Sequence, residues 1–494
     1  MERARAQDRP RVLRLHRRAA RRVRDREGAR AAPPPAPGAT DVILVEHATV
    51  LTVDAERRIL SDGSVLIDGR DILQVGPAPS VRPPRTPERI IDGRRRVVAP
   101  GFVDTHVHLT EHLSRGLMLD DVPVARYLPD WLLPLYSTVT PEEEAAAAQL
   151  ACVEMIRTGT TTFCEAGTLF DVAAVADAVE AIGMRAILGR WTWDVGGQTG
   201  RLRQTTDEAL GHTADVLAKV HGRAGGRLGA WPLLLGFGTG SEALMLGAKA
   251  LAERHGVGWG MMHLALHPRL RTRDTTSVAR LDELGLLDQR TKLAHMVYVD
   301  DADIARLARR GVKIAHCPSA GLKHTKGLAA HGRFPEMVEA GVCVSLGGDS
   351  GNGSNHFDML RLMYLAATVY KDARLDVSVL PAERVLEMAT IEGARALLLE
   401  RQVGSIEPGK RADLVLYDLD TPEWRPLLNP VNNLVYAASG ASVRTVLIDG
   451  RVILDEGRLT TLDERALYDR VERLGREHVR RAGVPIESKW PVIR

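Results

Sequence analysis

Residues 103–117 read VDTHVHLTEHLSRGL and follow directly on the apolar run VVAPGF (97–102). The pair His106 and His108 is either a metal-binding motif or a coincidence in a chain with 16 histidines. At that abundance about 0.5 such pair arises by chance, so an HxH taken alone decides nothing. Residues i and i+2 of a strand point to one side, so this pair would present two imidazoles together at a strand end. The question is whether other strands end in ligands as well.

Eight short apolar runs can be counted outward from this stretch: VVAPGFVDTH (97–106), TTTFCEAG (160–167), MRAILGRWT (184–192), PLLLGFG (232–238), GWGMMHLAL (258–266), TKLAHMV (291–297), VKIAHCP (312–318) and VCVSLGGD (342–349). Helical stretches such as PEEEAAAAQLACVEMIRTG (141–159) and DADIARLARRG (301–311) separate them. Eight strands, each followed by a helix, over about 300 residues is the pattern of an α/β fold of the (β/α)8 barrel type. Such barrels place their chemistry at the C-terminal ends of the strands. Here the first run ends in His106 and His108, the fifth reaches His263, the sixth His295, the seventh His316 and the eighth Asp349. Imidazoles and a carboxylate converging on one point suit a divalent transition metal.

The flanks read differently. VILVEHATVLTVD (42–54) and GSVLIDGRDILQVG (63–76) are short strand-like runs broken by turns, and the texture returns in ADLVLYD (412–418) and VRTVLIDGRVILDEG (443–457). The late VLIDGRVIL echoes the early VLIDGRDIL. This is either an internal repeat or, more simply, two chain ends pairing into one small β domain. The expected organisation is a composite β-sandwich from 41–98 and 403–460, a barrel over 99–402 and a C-terminal helical tail over 461–494. Residues 1–40 hold twelve arginines and four acidic residues and end in a Pro/Ala-rich run. They are too polar to bury a core and read as a basic disordered arm, or as a stretch upstream of the true start. Binding of the arm to nucleic acid or to an anionic surface is its second reading.

The arm's +8 leaves −5 for the rest of a chain whose total is +3. The body is mildly acidic and shows no broad basic face, so nucleic acid is not an expected partner. No run of about 18 uncharged apolar residues predicts a membrane span. Cys152, Cys164, Cys317 and Cys343 are widely spaced and follow no zinc or disulfide pattern, which fits free thiols in the reducing cytoplasm.

With these features in place the chain resembles the amidohydrolase superfamily, and within it the ATZ/TRZ-type group of triazine hydrolases and S-adenosylhomocysteine deaminases. The resemblance rests on APGFVDTHVH, GTTTF (159–163), HLA (263–265), AH (294–295), HCPSA (316–320), LGGDSGNGSN (346–355) and GSIEPGKRADLVLYD (404–418), and spans roughly 41–457. It implies a TIM-like barrel with a small β-sandwich built from both chain ends. It implies His106, His108, His263 and Asp349 as metal ligands, and His295 as the histidine that contacts the attacking water or substrate oxygen. His295 and Asp349 are then the catalytic pair. Two-metal members carry a lysine on the fourth strand; PLLLGFG has none, so one divalent ion per chain is implied, zinc first, with iron, cobalt or manganese as alternatives. A homo-oligomer, a dimer or larger, acting on a small-molecule substrate is also implied. Trp193, Leu266, His267 and His316 are candidate substrate contacts; His316 reads equally as a core residue, and Trp191 and Trp193 either line the pocket or cap the core.

One departure bears on substrate. Deaminases and triazine hydrolases of this group read H-x-x-E after the fifth strand, and that glutamate protonates a ring nitrogen. Here the reading is His263-Leu264-Ala265-Leu266. Leucine transfers no proton, and His267, one residue on, is the possible substitute. Amides, ureas and carbamates place the developing charge on oxygen and need that acid less. The expected activity is hydrolysis of a non-peptide C–N bond at a carbonyl. The alternatives are deamination of an aromatic heterocycle or nucleoside, and an inactive binding homologue.

Overall fold

A computed structural model describes residues 41–122, 124–196, 200–265 and 277–493. Strands β1 (Val42–Leu51), β2 (Ile59–Asp68), β3 (Asp71–Pro77), β4 (Arg89–Asp92) and β5 (Arg96–Pro100) open it. Eleven strands follow, interleaved with helices: β6 (Phe102–His108), β7 (Thr160–Glu165), β8 (Arg185–Leu188), β9 (Trp191–Thr192), β10 (Leu228–Ala230), β11 (Leu233–Gly236), β12 (Trp259–Leu264), β13 (Thr291–His295), β14 (Lys313–His316), β15 (Cys343–Leu346) and β16 (Asp349–Ser350). β17 (Leu414–Asp418), β18 (Val443–Ile448), β19 (Arg451–Asp455) and β20 (Arg458–Leu459) close the described strands.

The middle strands are parallel. β6 pairs with β7 and β7 with β8, and a separate ladder runs β9–β11–β12–β13–β14–β15. Two of the runs read as single strands are broken. Arg185–Leu188 and Trp191–Thr192 are separated by Gly189-Arg190, the first piece pairing with β7 and the second with β11. Cys343–Leu346 pairs with β14, whereas Asp349–Ser350, past Gly347-Gly348, pairs with β6. The interior is apolar and fully buried, with Phe102, Val103, Val107, Phe163, Leu293, Ile314 and Val344 among it. The connecting helices carry their own start and stop signals. Pro141–Arg157 opens on a Thr140/Glu143 capping box with proline in its first turn. Asp301–Arg310 opens on Asp300 and stops at Gly311 in the left-handed region.

The two chain ends form one nine-stranded mixed sheet in the order β20-β19-β18-β17-β5-β1-β2-β3, with β4 also on β1. Its own core includes Val45, Val65, Ile67, Ile72, Leu414 and Leu447. The echoed sequences are its two matching hairpins, and their turns meet. Gly450 sits at φ 75°, and a Cβ there would strike the Gly69 carbonyl, so only glycine fits. Buried Arg185 of β8 ties the parallel strands to this sheet. Its Nε and Nη2 donate to the two Asp413 carboxylate oxygens at 2.9 and 3.0 Å, and Nη2 also donates to Asp449 at 3.1 Å. The last helix, Glu464–Ala482, is anchored by Leu474 against Ala146 and Ala147 and by a 2.9 Å bond between His478 Nε2 and the Leu135 carbonyl.

Candidate metal centre

β6 delivers Asp104, His106 and His108 on one face, all buried, because alternate strand residues point the same way. Asp349 enters from β16, hydrogen-bonded alongside β6 through Val107. His106 Nε2 and His108 Nε2 lie 3.6 and 3.3 Å from Asp349 Oδ1. Around Oδ2 stand His295 Nε2 at 3.9 Å and Lys326 Nζ at 3.6 Å. His263 stacks between His108 and His295, with ring centroids 5.7 and 5.3 Å away. One ligand atom from each of His106, His263, His295 and Asp349 falls within 4.8 Å of the others. His108 stands beside this tight set and touches it through Asp349.

The backbone is bent to achieve this. His295 and Asp349 have φ of 73° and 66°, and Ala265, just past β12, has φ 50°. Non-glycine residues pay about 1–3 kcal/mol for such conformations, which persist where the surroundings dictate them. The strain sits at the strand ends, where the side chains turn inward.

The donor set fits a divalent cation. Both ring nitrogens of His106 and Nε2 of His295 are buried without a hydrogen-bond partner among the described residues. A cation satisfies the one lone-pair nitrogen of a neutral imidazole, which costs desolvation energy if left bare. His263 Nδ1 donates to the Leu235 carbonyl at 2.8 Å, which fixes the tautomer and leaves Nε2 as an acceptor. Burial holds His106 down to about 4 and His263 to about 3, and pushes His295 well below its ordinary value, so all three are neutral and able to ligate. Burial would raise the Asp349 carboxyl, but the Lys326 ammonium and the His106 and His108 rings beside it hold it well below the usual range.

Several neighbours carry no sequence signal as clear as the histidines. Asp104 accepts from the Gly348 amide at 3.0 Å and the His106 amide at 3.2 Å, pinning the β16 approach to β6; burial pushes its carboxyl up to about 7. The period-two pattern with His106 and His108 is the signal that finds it. Glu111 is bonded to Tyr136, and burial raises its carboxyl. Lys326 lies in a turn after the seventh strand's short helix, and no spacing rule marks it.

The candidate substrate contacts divide. Trp191 is in ring contact with His108 at 5.0 Å and His263 at 6.0 Å. Trp193 is a step further out, edge-on to Trp191 at 6.0 Å. His316 is stacked on Phe334 at 3.8 Å and set 3.4 Å from the Tyr370 hydroxyl. That is the core reading of this residue, and it stands apart from the tight ligand set. Leu266 and His267 lie outside the described residues, as does the arm, 1–40.

Known proteins are similar to this chain in sequence and architecture. The profile of the Amidohydrolase family matches residues 97–453. A 5-methylthioadenosine/S-adenosylhomocysteine deaminase of Pelotomaculum thermopropionicum is 36% identical over 446 residues, 87% of this chain and 97% of the relative. The zinc-bound crystal structure of an adenosine deaminase from Xanthomonas campestris superposes with a TM-score of 0.82 at 29% identity, covering 90% of this chain and all of that one. An atrazine chlorohydrolase from Arthrobacter aurescens, complexed with zinc, reaches 0.81 at 24% identity over 88% of this chain and all of its own, a likeness of fold.

Proposed function

The chain belongs to the amidohydrolase family, and on that premise we propose that it hydrolyses the C–N bond of a small amide, urea or carbamate. As a family member it is a metal-dependent hydrolase of C–N bonds other than peptide bonds. We read its parallel strands as a closed (β/α)8 barrel, β8 with β9 and β15 with β16 each serving as one interrupted strand. The split pairings of these two strands support that reading. The nine-stranded sheet, with its separate core, is read as the composite β-sandwich of 41–98 and 403–460. The barrel is assigned to 99–402, and 461–494 to the C-terminal helical tail.

The site takes one divalent ion, zinc in this reading, held by His106, His108, His263 and Asp349. A bound ion of this kind supplies Lewis acidity and lowers the pKa of a water to about 7. The protein's residues do the rest. Asp349 uses Oδ1 toward His106 and His108, and its Oδ2 accepts the proton of the attacking water and hands it to the leaving nitrogen. His295, on the Oδ2 side, hydrogen-bonds the carbonyl oxygen as it gains charge. Trp191 and Trp193 wall off the His108 side and exclude water.

The observation that carries the choice of a carbonyl substrate is Leu266. Attack on a ring C=N carbon leaves charge on nitrogen, which requires an acid; attack on C=O leaves it on oxygen, where His295 stands. Heterocycle deamination is the second reading, favoured by the names of the relatives, with His267 as its acid. We also propose that it acts in the cytoplasm, where its four free cysteines stay reduced, and as a homo-oligomer. Amine release from a panel of ureas, carbamates and anilides, run beside adenosine-type and triazine substrates, tests the reading. Turnover of a carbonyl substrate with poor deamination is expected. Deamination of a heterocycle with kcat/KM of about 10⁴ M⁻¹s⁻¹ or more overturns it in favour of the second.

A further inference from the structure

Lys326 brings an ammonium to Asp349 that is neither a metal ligand nor one of the catalytic pair. Its side chain is 14% exposed, and its Nζ lies 3.6 Å from Asp349 Oδ2, the oxygen that also faces His295. Asp349 is its carboxylate partner among the described residues. The turn that carries it is built. The Lys326 amide donates to the Gly321 carbonyl at 3.0 Å, closing the helix Pro318–Lys323. Next to it Gly327 has φ 71°, and a Cβ there would collide with the Tyr298 hydroxyl. The turn is thus shaped on both sides of Lys326, and from it the side chain reaches Asp349.

A mostly buried ammonium needs a compensating anion. When Asp349 serves as a metal ligand, its charge is already engaged. A divalent ion on three neutral imidazoles and one carboxylate keeps a net positive charge, and Lys326 adds to it. Glu111, the carboxyl near His108, is turned to Tyr136 and raised by burial. The unmet demand for negative charge lies on the Oδ2 side, where the proposed reaction sets the substrate carbonyl.

The geometry points to Lys326 as the residue that selects substrates bearing a carboxylate next to the scissile C–N bond. This rests on the reading of Asp349 and His295 as the reacting centre. The substrate class narrows to N-acyl, N-carbamoyl or carbamate derivatives of small acids, whose carboxylate pairs with Nζ while the carbonyl meets His295.

N-acetylglycine and its neutral twin N-acetylglycinamide probe this by calorimetry on the zinc-loaded full chain, with zinc content measured alongside. The wild type is expected to bind the acid about tenfold or more tighter than the amide, the usual strength of a hydrogen bond to a charged group. Lys326→Met should lose at least about tenfold in affinity for the acid, with the amide within twofold and zinc unchanged. Lys326→Arg should restore most of the preference. A role confined to holding Asp349 would change zinc content and leave the acid-to-amide ratio alone. An equal ratio in wild type and Lys326→Met at matched zinc overturns the assignment, as does failure of the wild type to bind the acid. An intact, Lys326-dependent ratio without hydrolysis of any carbonyl substrate counts against the proposed reaction and upholds the assignment.

Discussion

Arg185→Met removes the guanidinium that ties β8 to the composite sheet. The methionine stem keeps much of the arginine's volume, so the loss is electrostatic. Asp413, its side chain 1% exposed, loses two bonds of 2.9 and 3.0 Å and retains the Asp449 amide at 2.8 Å on Oδ1. Asp449 loses its 3.1 Å bond but keeps Arg411 at 3.8 Å and Arg70 and Arg227 at 3.9 Å. Stripping one partner from a buried pair costs about 3–5 kcal/mol, and these remaining arginines place the expected loss near the lower end, about 3 kcal/mol. Equilibrium urea unfolding, followed by tryptophan fluorescence, measures it. Arg185→Met combined with Asp413→Asn removes the bared charge and should recover at least half of the loss. A loss for the single variant below about 1 kcal/mol, the range of exposed pairs, would show that water reaches this junction and would refute the reasoning.

Elemental analysis of the purified protein should give close to one zinc, iron, cobalt or manganese per chain, and chelation should abolish turnover reversibly; a reproducible two, both needed, contradicts the single site. Asp349→Asn should cut turnover by about 10²–10⁴-fold, the worth of a proton-transfer group, whereas His295→Ala should lose most turnover and keep its metal. Metal loss in His295→Ala would make it a direct ligand, as its place in the tight set allows. At acid pH, burial favours protonation of Glu154, but hydrogen bonding from His112 and the Arg115 guanidinium hold its carboxyl at about 2. That depressed value contributes stability of about 3 kcal/mol, present above the ordinary value of 4.5 and lost as pH falls through about 2. Glu154→Gln should be less stable at neutral pH and should flatten this part of the acid-unfolding curve.

The parallel strands were legible because most of them combine an apolar run with a polar terminus, the pattern of a strand covered on both faces. His106 and His108 follow from the two-residue period of β6. The breaks at Gly189-Arg190 and Gly347-Gly348 were not visible, since both runs are apolar enough to read as one strand. The left-handed turns at His295 and Asp349 were not visible, because Asp and His visit positive φ more often than most residues but only rarely, and the surrounding strand ends decide where. They bring His295 into the tight ligand set, where the sequence placed it one step away. His316 looks like its fellow strand-end histidines in sequence; Phe334 and Tyr370, which claim it for packing, arrive from later segments. Lys326 was silent for a similar reason: its approach to Asp349 depends on the turn that follows the helix Pro318–Lys323.

The composite sheet also sets a timetable. β5 borders β1 on one side and β17 on the other, yet Pro100 and Leu414 are separated by the entire run of parallel strands. A ribosome adding about 5–20 residues per second needs about 15–60 s to synthesise those roughly 300 residues. Through that interval β5 presents an unpaired row of backbone donors and acceptors, a template for the wrong partner. The nascent chain therefore depends on shielding of that edge, by a chaperone or by early folding of the parallel strands over it. Truncations that stop short of β17 should accumulate as aggregates even when every metal-centre residue is present.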